Sequence, residues 1–246
     1  MVTDKKGAIN TLNESTLHKT LKTYYALQNE GSCTEVQQGS YIADILTKDG
    51  NIIEIQTANL SHLYDKIKYC IDRNISIKVV YPLVTTKYIE TVSEDGKSVS
   101  KRKSPVHRNI YSIFRELTSL YEFLQEKLFT LEVLEVTVTE TRQGTKIPVQ
   151  TENKRRRFMK NWIKTDKRLE EIGNSHIFNK KECYLNMLPP VLPEVFTVKD
   201  IQKALNDSAI KAEIQSIRYM TWFFCKAGLI ERCGTVKRCY LYKVVR

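Results

Sequence analysis

The stretch Tyr41-Ile42-Ala43-Asp44-Ile45-Leu46-Thr47-Lys48-Asp49-Gly50-Asn51-Ile52-Ile53-Glu54-Ile55-Gln56-Thr57 decides the fold. Two apolar, β-branched runs flank Lys48-Asp49-Gly50-Asn51, which has hairpin-turn chemistry, so 41–47 and 52–57 read as paired strands. Side chains alternate along a strand, so Glu54 and Gln56 point to one face while Ile53 and Ile55 point to the other. Whether Asp44 joins them depends on register. A strict two-residue loop at Asp49-Gly50 pairs Asp44 with Ile55. A three-residue loop, or one bulge, pairs Asp44 with Gln56 and gathers all three polar groups on one face. The second register is expected. An unpartnered charge within so apolar a hairpin is costly, which separates Asp44 and Glu54 from ordinary polar residues on an exposed strand face.

Outward from the hairpin, the preceding segment reads as a helix from about Asn13 to Leu27. Asn13 is a good cap, Glu14 suits the positive end of the dipole, and Leu17, Leu21, Tyr24 and Tyr25 form the apolar stripe. A second helix is expected over 59–73. Ser76–Pro82 reads as a buried strand ended by its proline, and residues 87–101 as a solvated hairpin around Glu94-Asp95-Gly96-Lys97. Ile113, Leu117, Leu120, Leu124 and Leu128 recur at helical spacing within a predicted helix over 110–128, and Leu131–Thr139 is a long β-branched strand.

The chain then changes character. Residues 142–157 form a polar seam ending in Lys154-Arg155-Arg156-Arg157, followed by an expected helix near 158–173. Thr197-Val198-Lys199-Asp200 is a capping box that opens a short helix to about Leu205. A longer helix is predicted from about Ala209 to Ala227, stopped by Gly228, with a core stripe of Ile210, Ile214, Ile217 and Phe224. A terminal hairpin follows, with a turn at Gly234. Helix, turn, helix, hairpin is the order of a winged helix. Lys211, Gln215 and Arg218 repeat at i, i+4, i+7, as a recognition helix requires, and Lys237 and Arg238 would form the wing.

Charge supports that division. The chain of 246 residues carries a formal net charge of +11. Residues 1–150 hold 19 Lys+Arg against 18 Asp+Glu, whereas 151–246 hold 20 against 10. The excess therefore falls on the second part, which is expected to meet a polyanion, with Arg155 and Arg156 as further phosphate contacts. Nine Gly and six Pro exclude collagen-like and low-complexity classes. No apolar run is long enough to span a bilayer, and Met1–Lys6 lacks a signal-peptide core, so the expected location is cytoplasmic, with no membrane partner. Six cysteines with no C-x-x-C pair argue against a structural zinc site and for reduced thiols, although Cys233 and Cys239 can face each other across the terminal hairpin.

Asp44, a hairpin, then Glu54-Ile55-Gln56 resembles the PD-(D/E)XK nuclease superfamily, with Gln56 at the lysine position, and the surrounding order of elements over residues 12–140 resembles its core. The joining of that core to a C-terminal winged helix is also similar to an uncharacterised prokaryotic family. The resemblance implies an α/β fold: a restriction-endonuclease-like α-β-β-α-β core over 1–141, a basic linker and helix over 142–175, and a smaller α+β winged-helix domain over 176–246. It implies hydrolysis of DNA phosphodiesters, with Mg²⁺ or Mn²⁺ held by Asp44 and Glu54, a water positioned by Gln56, and assistance from Glu14. Gln56 can orient a water but supplies no positive charge. Lys66 can replace the missing lysine, though its expected place is facing solvent, and His18 and His62 are left outside the site. RNA as substrate and a homodimer stay open. The alternative is a non-catalytic DNA-binding or regulatory protein whose nuclease fold persists as a platform.

Overall fold

The computed structural model describes residues 15–150 and 157–245. Helix α1 (Thr16–Gln28) starts at the Ser15 cap, whose hydroxyl accepts from the His18 amide; Asn13 lies outside the described residues. Leu17, Leu21 and Tyr25 are buried, whereas Tyr24 turns outward. Three strands follow as an antiparallel meander: β1 (Cys33–Gln38), β2 (Tyr41–Leu46) and β3 (Ile52–Ile55). Strand β1 is invisible to an alternation test, because Cys-Thr-Glu-Val-Gln-Gln is polar and sits at a sheet edge. The turn into β2 holds Gly39 at φ +60 against the Tyr69 ring, where a Cβ would lie 2.1 Å from the hydroxyl.

A turn of 3₁₀ helix leads into α2 (Tyr64–Asp72), which returns the chain to β4 (Ile77–Val92), parallel to β3. The expected stop at Pro82 does not occur. Val80 C=O accepts from the Gln56 amide, so even-numbered residues here face β3, and β3 has ended by the level of Pro82. The missing N–H therefore interrupts no ladder.

Strand β5 (Ser98–Lys103) closes the expected exposed hairpin on β4. The predicted helix over 110–128 is instead broken into short turns around α3 (Phe114–Leu117). Ile113, Leu117, Leu120 and Leu124 are still buried, but Thr118 and Ser119 bond back to the carbonyls of Arg115 and Glu116, which competes with helix continuation.

Strand β6 (Phe129–Val149) runs parallel to β4 and far beyond the expected end at Thr139; β7 (Lys160–Phe178) pairs with it antiparallel. The stretch expected as basic linker and helix over 142–175 is thus strand over 142–149 and 160–175. Leu169 and Ile172 explain the misreading. They are spaced as on a helix, yet Val138 pairs with Leu169 and Thr137 with Glu171, so a bulge at Glu170 turns both apolar residues toward α1.

The mixed sheet has the order β1-β2-β3-β4-β6-β7, with β5 on β4. Helix α1 covers one face over Ile45, Ile53, Ile55 and Val80. The other face packs on α2, α3 and the C-terminal elements in one continuous core. Those elements are α4 (Lys181–Leu185), α5 (Val198–Asp207), α6 (Ile214–Lys226) and the hairpin β8 (Ile230–Val236) and β9 (Cys239–Val244). The α5 capping box and the Gly228 stop form as expected. Phe114 meets Phe223 and Phe224, tying α3 to α6.

Candidate functional site at the β2–β3 hairpin

The register differs from expectation in an informative way. Thr47 and Asn51 close a three-residue loop at Lys48-Asp49-Gly50, and Ile45 pairs with Ile53. Asp44 therefore lies opposite Glu54, not Gln56. The loop length is as predicted; its position is one residue earlier.

At Asp44 the two strands part, and each acid satisfies the other strand's backbone. The Ile55 amide donates to Asp44 Oδ2 at 2.8 Å, and the Asp44 amide donates to Glu54 Oε1 at 3.0 Å. Two more side chains complete the cluster. His18 Nε2 from α1 lies 3.3 Å from Asp44 Oδ2. Lys66 from α2 forms an ion pair with Glu54 and donates to the Ile42 carbonyl at 2.6 Å. Glu54 and Lys66 are only 5% and 7% exposed, so this charge pair is inside the protein.

The two carboxyls are driven apart electrostatically. Burial opposes ionisation of Asp44, but His18, the Ile55 N–H and Lys66 outweigh it and hold the group below the usual carboxylate range. For Glu54, burial and then the Asp44 charge push the carboxyl up to about 7 against the pull of Lys66. Neighbouring acids with separated affinities for a proton are a common arrangement at reactive sites.

Gln56 does not join them as expected. Its amide nitrogen donates to the carbonyls of Ala58 and Asn59, folding the side chain into its own loop. Glu14 lies outside the described residues. Lys66, expected to face solvent, is buried. Its signal was present in α2: it sits three residues after Leu63 and four before Cys70, on the inward stripe. His18 likewise precedes the buried Leu21 by three residues. Among the described residues no group of three or more His, Cys, Asp or Glu side chains could hold a metal ion.

The expected DNA-contacting residues divide. Gln215 and Arg218 lie on the exposed side of α6, with Arg218 donating to Gln215 at 3.5 Å. Lys211 is not on that helix: Ala209 has a φ of +60, and α6 starts only at Ile214. Ile210 is correspondingly exposed. Lys237 and Arg238 form the hairpin turn at positive φ, whereas Gly234 adjoins a bulge within β8. That bulge also leaves Cys233 without a cross-strand partner, the turn at Lys237-Arg238 sets Cys239 opposite Val236, and both thiols are free. Arg155 and Arg156 lie outside the described residues. Between α5, α6 and the hairpin runs a groove of about 780 Å³, lined by Lys199, Lys203, Arg218, Arg232, Arg238 and Trp222 among others. No helix among the described residues is long and apolar enough to cross a membrane.

Residues 15–179 match the model of a family described as a domain of unknown function (DUF8091). A relative from Treponema pallidum (strain Nichols), named an uncharacterized protein, is 32% identical over 193 residues, which is 78% of this chain and 73% of the relative. Among solved structures, the ferric uptake regulator of Vibrio cholerae matches 27% of this chain and 50% of its own, at 14% identity and a TM-score of 0.24. A likeness of that size carries no argument about this chain.

Proposed function

The chain belongs to the DUF8091 family, and we propose that it is a metal-dependent nuclease that hydrolyses DNA phosphodiesters and is delivered to its substrate by a C-terminal winged helix. The observation that carries this reading is the cluster in which Asp44 and Glu54 each hold the other's strand amide while Lys66 pairs with Glu54. The order α1, a meander of β1–β3, α2 and a parallel β4 supports the restriction-endonuclease-like core on which such a cluster is built.

The donor set suits a hard cation. Asp44 and Glu54 supply carboxylate oxygens, and Mg²⁺ or Mn²⁺ needs only one or two of these because it keeps several waters. A zinc-type nest of His and Cys is not formed by the described residues. When bound, the ion supplies Lewis acidity toward the phosphate and a more acidic water. The chain's own groups do the rest. Lys66 brings the positive charge that Gln56 lacks, fixed between Glu54 and the Ile42 carbonyl. His18 orients the Asp44 carboxylate, and burial keeps competing water from Glu54. In the second module, Arg218 and Gln215 on α6 and Lys237 and Arg238 at the hairpin turn serve as phosphate and base contacts.

The test is cleavage of supercoiled and linear DNA with Mg²⁺ or Mn²⁺ by wild type, Asp44→Ala and Glu54→Ala. Metal-dependent cutting that either substitution abolishes is expected. Absence of cutting, with DNA binding unchanged in all three proteins, favours the second reading, a non-catalytic DNA-binding regulator. That reading draws on the Gln56 side chain being committed to its own loop.

A further inference from the structure

Away from the acids, β4, β6, β7 and the segment before α3 line a small, partly open cavity of about 140 Å³. Its walls are Val84 and Lys87 from β4, Val106 and Arg108 from the connecting segment, Glu140 from β6, and Lys164 and Lys167 from β7. Four cations thus face one acid. That acid is already engaged, since Glu140 pairs with Lys87 at 3.3 Å and with Arg142 at 2.6 Å. The side chains of Arg108, Lys164 and Lys167 form no ion pair or hydrogen bond among the described residues. Lysine and arginine only donate, so the cavity offers a donor-rich wall whose one carboxylate is already engaged.

From this geometry we infer that the cavity is a phosphate-binding site in which Lys167, Lys164 and Arg108 hold the oxygens of one phosphate group. At about 30 Å³ per water, the volume equals roughly four to five waters, enough for a tetrahedral oxyanion and too little for a nucleoside. An uncompensated excess of three positive charges in the lining suits a multivalent anion over a single carboxylate. Half-buried Val84, packed on the core, lowers the local dielectric on its side and so strengthens the attraction. Independently, burial, then Lys164, and further Lys87 and Arg108 pull the Lys167 ammonium down to about 8 against Glu140. An anion seated between these cations reverses that repulsion.

This inference does not rest on the nuclease reading. Its phosphate is either free, as inorganic phosphate or a nucleotide's terminal group, or part of a nucleic-acid backbone. The experiment titrates inorganic phosphate, and separately a short DNA duplex, into the full chain and into Lys167→Met and Arg108→Met, reading binding by calorimetry and the Lys167 Nζ resonance by NMR. A free-phosphate site gives saturable phosphate binding in wild type, an upward shift of the Lys167 titration, and at least a tenfold loss of affinity in both variants. A backbone site gives no such saturation but weakens duplex binding in both variants and lowers the salt slope by about one per cation removed. Arg108 is exposed, so Arg108→Met tests the site even where Lys167→Met disturbs packing. Wild-type affinities for phosphate and duplex retained in Arg108→Met, with an unshifted Lys167, would overturn the proposal.

Discussion

Lys66 and Glu54 form an ion pair in which the two side chains are 8% and 6% exposed, and the same ammonium donates to the Ile42 carbonyl. One cation therefore ties α2 to both strands of the hairpin, at the point where β2 and β3 part. The pair orders the acids and also makes their fold dependent on it.

Replacing Lys66 by Met leaves a buried carboxylate without its cation, a change that costs about 3–5 kcal/mol. Glu54 can take up a proton instead, so the loss sits at the lower end below neutrality and grows above it. In Lys66→Met/Glu54→Gln both charges are gone, and the new carboxamide oxygen can still accept from the Asp44 amide. Most of the stability should return. Denaturant unfolding of the four proteins measures the coupling, and strictly additive losses would show that the pair is not an energetic unit.

Protonation of Glu54 has a definite sign. Its folded value, about 7, lies above its ordinary value of 4.5, so between these two pH values the native state binds the extra proton and stability falls as pH rises. Asp44 acts oppositely. Its folded value is lowered, so its contribution is present above the ordinary carboxylate range and is lost as pH falls through it. Carboxyl NMR titrations should show Glu54 moving down in Asp44→Asn, which removes a neighbouring charge, and up in Lys66→Met. A Glu54 midpoint unchanged in Asp44→Asn would refute the interaction.

Asp44 and Glu54 are legible in the sequence because charges within apolar strands stand out in period-two patterning. The α1, β2, β3, α2 and β4 elements and the α5 capping box are legible for the same kind of reason: strong periodicity with recognisable caps and turns. What escapes is set by tertiary pairing. Strand β1 has no pattern of its own, and β7 carries helix-spaced Leu169 and Ile172 that only its own bulge at Glu170, set by pairing with β6, turns toward one face. Register is equally hidden, since a shift of the same three-residue loop by one position moves Asp44 from Gln56 to Glu54. Lys66 escapes because a lysine on a helix is ordinarily solvated; its burial follows from Glu54, which is distant in the chain until the sheet forms.

His18 acts on Asp44 from the opposite side of the cluster, with its Nε2 3.3 Å from the carboxylate. Residues that orient a ligand side chain typically change metal affinity or activity by about 10–100-fold when removed. On the proposed nuclease reading, His18→Ala should therefore weaken Mn²⁺ binding and DNA cleavage by that factor while leaving DNA affinity without metal unchanged. Mn²⁺ titration followed by electron paramagnetic resonance gives the first quantity and a cleavage time course the second. Wild-type values in both would make the contact incidental.

The α6 surface yields the last prediction, because the structure separates residues that the sequence groups together. Lys211, Gln215 and Arg218 share a helical repeat in sequence, but only Gln215 and Arg218 lie on α6, and Lys211 precedes it in the turn that Asn109 holds through the Lys211 carbonyl. If α6 enters the major groove, Arg218→Ala and Arg238→Ala each remove one cation from the surface facing DNA, and each should lower the slope of log affinity against log salt by about one. Gln215→Ala removes a group that can read base edges, so it should alter sequence preference more than the salt slope. Lys211→Ala should change neither. Fluorescence anisotropy of labelled duplexes at several salt concentrations distinguishes these outcomes. A Lys211→Ala effect equal to that of Arg218→Ala would mean that DNA approaches along the α5–α6 turn, with the exposed side of α6 left out of the interface.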